Sequence, residues 1–168
     1  MHNGYVGGYD DLRRDMLLAV RPDLFGGIKG TTDSELMFHL ALTFGLEDDP
    51  IAGLEQMAGF IEALGADAGI AEPVQMTVGV SDGERLWAVR YASGPVVNTL
   101  FHSADLESLR KLYPVNERLA HFAGDARAVV SEPLVGLPGL WHEVPAGSAI
   151  LVEKGRVEQL PFRPRFPA

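Results

Sequence analysis

Cysteine is absent from all 168 residues, and that one absence removes disulfides, thiolate metal sites and thiol nucleophiles together. Basic side chains are scarce as well: 14 Lys and Arg stand against 23 Asp and Glu, for a net charge of −9. Neutralising a phosphate backbone needs clustered cations, and the nearest thing to a cluster is Arg163 with Arg165 in the tail. Neither nucleic acid nor an anionic membrane surface is therefore expected as a partner. No apolar run approaches the length of a membrane span, and the first residues lack the basic start and apolar stretch of a secretory signal. A cytoplasmic protein is expected. The histidines His102, His121 and His142 show no paired or HExxH-like spacing, so no metal or other cofactor is predicted.

What the chain does have is enough apolar sequence, 46% of its residues, to bury one core, and its length predicts a single domain over residues 1–168. MHNGYVGG at the start reads as turn or loop, rich in glycine. Leu12, Met16, Leu17, Ala19 and Val20 recur at helical spacing and predict one helix from Tyr9 to about Leu24, stopped at Pro22 or at Gly26-Gly27. The next helix, within Gly30 to Leu46, has the clearest start: Thr32 followed three residues later by Glu35 is a capping-box pattern, and Asp33 complements the helix dipole. A third helix opens at Pro50 and closes near Gly65.

After residue 72 the period changes. Val74 to Val80, Leu86 to Tyr91 and Val96 to Phe101 read as antiparallel strands, and Ser81-Asp82-Gly83 is a strong hairpin signal. A short amphipathic segment spans Leu106 to Leu112. Further strands are expected at Ala128 to Ser131, Ala149 to Glu153 and Val157 to Leu160, the last two joined by a turn at Lys154-Gly155. Helices followed by such a sheet predict a layered α+β domain, with its first strands missing.

Few residues carry chemistry on their own. Asn3-Gly4 is by itself a turn dipeptide, and Asp33 by itself a first-turn helix stabiliser worth about 0.5 kcal/mol. Ser131-Glu132-Pro133 pairs a hydroxyl with an acid but has no histidine at a motif spacing to activate it. His39 lies on a polar stripe of a buried helix and reads as a structural, hydrogen-bonded histidine. Trp87 and Trp141 read as core aromatics.

Taken in order, however, His2-Asn3-Gly4, the run Gly30-Thr31-Thr32-Asp33-Ser34-Glu35, and Val130-Ser131-Glu132-Pro133-Leu134 followed by Trp141 and Val144-Pro145-Ala146-Gly147 resemble the class II glutamine amidotransferases. These belong to the N-terminal-nucleophile hydrolases. The hairpin Val80 to Ser93 fits as well, and the nearest likeness is to the small stand-alone members, including the γ-glutamyl hydrolases of ergothioneine biosynthesis. The resemblance implies an αββα four-layer sandwich with antiparallel sheets, here incomplete.

It also implies roles. Attack on a glutamine side-chain amide builds a tetrahedral oxyanion, and preorganised donors must meet it; the resemblance gives that task to the Asn3 side chain and the Gly4 backbone N–H. It gives Asp33 the α-amino group of glutamine or a γ-glutamyl compound. The family's nucleophile is an N-terminal cysteine whose own α-amino group is the base, and its carboxylate-clamping arginine also precedes the His-Asn-Gly motif. The chain therefore reads as the C-terminal portion of a glutamine amidotransferase type 2 domain, inactive alone. The alternative is a non-catalytic subunit that binds or complements a cysteine-bearing chain. Exposed sheet edges would favour self-association or such a partner. An unrelated α+β domain is the third reading.

Overall fold

The computed structural model describes residues 1–105, 107, 110, 114, 126–133 and 139–167. The segment expected from Leu106 to Leu112 falls largely outside the described residues, as do His121 and Leu134.

The domain is mixed α/β with two antiparallel sheets. The first five residues after Met1 do not form the expected loop: β1 spans His2–Val6 and pairs with β2 (Val74–Ser81), which pairs with β3 (Arg85–Ala92), then β7 (Ser148–Glu153) and β8 (Arg156–Pro161). Local propensity gives no hint of β1, because its backbone geometry is imposed by the register His2↔Val78 to Val6↔Val74. The second sheet has three short strands in the order β5 (Val129–Val130), β4 (Phe101–Ser103), β6 (Trp141–Glu143).

The helices cover one face of the large sheet. The expected helix from Tyr9 to Leu24 is two pieces, α1 (Tyr9–Ala19) and α2 (Pro22–Phe25). Arg21 precedes Pro22, whose ring disfavours helical backbone there, and Arg21 is accordingly extended at φ −52°, ψ 133°. In α3 (Asp33–Thr43) the Glu35 N–H donates to Thr32 Oγ1 at 3.3 Å. The other half of the capping box is diverted, because the Glu35 carboxylate accepts from Lys29 N–H at 2.8 Å and Gly30 N–H at 2.6 Å. Those bonds, Lys29 first, hold the Glu35 carboxyl below its usual titration range. In α4 (Pro50–Asp67) Asp49 caps Ala52 N–H at 3.0 Å, with Pro50 in the first turn. None of the helices among the described residues is long and apolar enough to cross a membrane.

Alternation along the strands sorts the two cores. Val74, Met76, Val78 and Val89 join Leu12, Met16, Leu36, Leu40, Met57 and Ile61 beneath the helices. Ala88 and Ile150 join Leu100 and Val144 on the other face, against the second sheet. The expected strand from Val96 is irregular until Phe101. Side chains of the large sheet take its carbonyls instead of a neighbouring strand: Gln75 Nε2 donates to Val96 O, Thr77 Oγ1 to Thr99 O and Arg90 Nε to Asn98 O. Arg90, 9% exposed, also donates to Val144 O and to Glu143 Oε1. It ties the second sheet to the first. The hairpins at Asp82-Gly83 and Lys154-Gly155 are where the sequence put them, the latter with positive φ at both residues.

Candidate functional site at the edge of the first strand

β1 is an edge of the large sheet, and its hydrogen-bonding parity decides what it presents. Met1 and Gly79 exchange two backbone bonds, at 2.8 and 2.9 Å, and Gly7 N–H donates to Pro73 O at 2.9 Å. Antiparallel pairing alternates, so the N–H and C=O groups of His2, Gly4 and Val6 point away from β2, toward the open edge. Val6 N–H is met there by Asp33 Oδ2 at 2.9 Å. Gly4 N–H meets no acceptor among the described residues.

Only glycine fits at position 4. Its φ is +153°, and a Cβ there would stand 2.0 Å from Gln75 O and 2.8 Å from His2 Nε2. The His2 ring thus occupies the space over Gly4. Its Nδ1 lies 2.8 Å from Ser34 Oγ, while Nε2 is buried without a hydrogen-bond partner. The Gln75 backbone carbonyl faces the ring as a hydrogen-bond acceptor and raises its pKa, although Nε2 has no partner of good geometry among the described residues. Burial pushes the His2 pKa below the ordinary imidazole value, against the opposing pull of Asp33.

Asp33, at the start of α3, accepts three hydrogen bonds: from Ser34 N–H at 2.6 Å and Ser34 Oγ–H at 3.2 Å on Oδ1, and from Val6 N–H on Oδ2. An ionised carboxylate has about four acceptor positions, so roughly one remains for a ligand. Beside His2 and Ser34 a largely apolar cavity of about 220 Å³ runs between the sheet and α3, lined by Met37, Ala41, Leu54 and Val78.

The structure thus brings Gly4 and Asp33 to the same open edge. Asn3 is different: it is exposed, and by alternation its side chain turns to the sheet face opposite to that of His2. His39 is 8% exposed and its Nδ1–H donates to Glu35 O at 2.9 Å, a structural role within its own helix. Trp87 is buried, under the Arg85 guanidinium, whereas Trp141 is only half-buried. His102 and His142, separate in sequence, face each other across β4 and β6 with ring centroids 5.1 Å apart. Among the described residues no cluster of three metal-ligating side chains exists. His2 and Ser34 lay inside the quoted motifs, yet nothing in their spacing signalled a contact between them.

No family model matches the chain. It is 24% identical over 175 residues, covering 92% of its length, to Probable glutamine amidotransferase DUG3 of Saccharomyces cerevisiae, and it spans about half (49%) of that protein. Among solved structures, it is similar to a glutamine aminotransferase class-II domain protein from Silicibacter pomeroyi, with 30% identity and a TM-score of 0.82 over 98% of this chain and 67% of the other.

Proposed function

Because the chain belongs to the class II glutamine amidotransferase family, we propose that the open edge of β1 is one wall of a glutamine or γ-glutamyl amide site. In this reading Gly4 N–H and the Asn3 side chain meet the oxyanion, and Asp33 takes the α-ammonium group of the substrate. The observation that carries it is the convergence, on one strand edge, of a Gly4 N–H without an acceptor among the described residues and a carboxylate with a spare acceptor position. The same reading takes the domain as an N-terminal-nucleophile hydrolase of αββα layering, similar to the small γ-glutamyl hydrolases and acting in the cytoplasm.

Cysteine is absent from the 168 residues, so this polypeptide by itself has no thiol to attack the amide and is inactive alone. Removing a nucleophile leaves only the rate that binding and oxyanion donors supply. Ammonia release from L-glutamine by the purified chain tests this directly: turnover abolished by Asp33→Asn would refute the inactive reading while supporting the site. The second reading is a subunit that complements a cysteine-bearing chain, and the unpaired outer edge of β1 favours it. Co-purification of a cysteine-initiated partner whose presence confers glutaminase activity supports that version. Stoichiometric assembly without activity speaks against it.

A further inference from the structure

Two side chains beside the proposed ligand edge have no role yet. Ser34 Oγ lies 3.2 Å from Asp33 Oδ1 and 2.8 Å from His2 Nδ1, so a hydrogen-bonded path runs from α3 back to β1. The hydroxyl has one proton to give. Asp33 is the charged acceptor, and a charge-assisted bond is about twice as strong as a neutral one. The proton therefore goes to Asp33, and the Ser34 lone pairs accept from His2 Nδ1–H. Among the described residues His2 Nε2 has no hydrogen-bond partner of good geometry, and the Gln75 carbonyl is the competing acceptor for the ring proton.

The last torsion of an aspartate is soft and roughly two-fold, so its carboxylate plane is set by its partners. Ser34 N–H and Oγ–H hold Oδ1, and Val6 N–H holds Oδ2. We propose that His2 and Ser34 are positioning residues for Asp33: the relay from His2 Nδ1–H through Ser34 Oγ–H to Oδ1 fixes the carboxylate plane and keeps its remaining acceptor position for a ligand ammonium group. The ammonium part of this statement rests on the reading of Asp33 given above. The relay part does not.

The test uses the whole chain and two readouts, one free of ligand. Imidazole ¹⁵N shifts at about pH 8, where the ring is neutral, report the His2 tautomer, and hydrogen exchange of the Val6 amide reports whether Oδ2 stays in place. The wild-type protein is expected to carry its proton on Nδ1. Ser34→Ala should abolish that preference and lower Val6 protection about fivefold, with Ser34→Thr restoring both. Affinity for L-glutamine, measured by calorimetry, should fall about 10-fold in Ser34→Ala, the loss expected for one hydrogen bond, and recover in Ser34→Thr.

A wild-type proton on Nε2, or an unchanged Val6 amide in Ser34→Ala, overturns the relay whatever glutamine does. Unchanged glutamine affinity in Asp33→Asn, with the relay readouts as expected, removes the ammonium reading and leaves the relay standing. If Asp33→Asn weakens glutamine but Ser34→Ala does not, the positioning role is wrong.

Discussion

The carboxylate of Asp33 accepts the backbone N–H of Val6 at 2.9 Å, across 27 residues of sequence. That bond satisfies one of the outward-facing groups of the sheet edge and docks the start of α3 onto β1. Asp33→Ala removes three hydrogen bonds to a charged acceptor at once. Part of their strength is regained from water, so the expected loss is about 2 kcal/mol. A denaturant midpoint shift, with the slope unchanged, measures it. Wild-type stability in Asp33→Ala would mean that the edge contact contributes nothing.

Gly4→Ala tests the other half of the site. The added methyl meets Gln75 O at 2.0 Å, a backbone atom that moves only with β2, and meets His2 Nε2 at 2.8 Å. β1 must then shift or detach, at about 2 kcal/mol by analogy with overpacked sites. Amide exchange should accelerate across His2–Val6 while the β2–β3 hairpin stays protected. Uniform protection throughout would show that the strand absorbs the methyl group.

Local rules were enough for the elements with local causes. The cap at Thr32, the helix start at Pro50 and the turn at Asp82-Gly83 each have causes within a few residues, and each was legible, whereas the cap supplied by Asp49 was not singled out. β1 was not, because His2, Asn3 and Gly4 have no strand preference and are held by partners more than 70 residues away. Arg90 drew no expectation from the sequence, and the structure buries it with its guanidinium on Asn98, Glu143 and Val144. The His102–His142 pairing depends on a register between strands of three residues each. Of the candidate site, Asn3, Gly4 and Asp33 were singled out through motif resemblance. The tie between β1 and Asp33 through His2 and Ser34 needed coordinates.

Stability should fall on the acid side of neutrality. His2 and His102 both have pKa values lowered from 6.5, chiefly by burial. For His2, Asp33 and the Gln75 backbone carbonyl oppose the shift while the Met1 ammonium adds to it. For His102, the Ser103 carbonyl opposes it, and His142 and Arg127 add to it. A folded-state pKa below the unfolded one means that the unfolded chain binds more protons in the window between them. The contribution is therefore complete above about pH 6.5 and is lost as pH falls through the lower folded values. Unfolding free energies measured between about pH 8 and pH 5 should decline, and His2→Asn should flatten part of that decline. A profile identical in wild type and His2→Asn would rule out His2 as a contributor.

Gly59 makes a prediction that concerns the tail. In the middle of α4, a residue without a side chain weakens the helix by about 1 kcal/mol relative to alanine, so Gly59→Ala ought to stabilise on propensity alone. Packing opposes this: the new Cβ would lie 2.4 Å from both the carbonyl carbon and oxygen of Arg165 and 2.7 Å from its nitrogen. The tail crosses there, held by Arg165 N–H on Glu55 O at 3.2 Å and Arg163 N–H on Glu55 Oε1 at 2.8 Å. Phe162, 3% exposed, anchors the chain just before it. Because all the clashing atoms are backbone, the tail must lift off after Phe162 and give up both bonds. Trypsin reads this out, since the Arg163 bond is protected by Pro164 and only Arg165-Phe166 becomes cleavable. Gly59→Ala should be cut at Arg165 faster than wild type while its core stays folded. An unchanged cleavage rate with raised stability would mean that propensity outweighs the close approach.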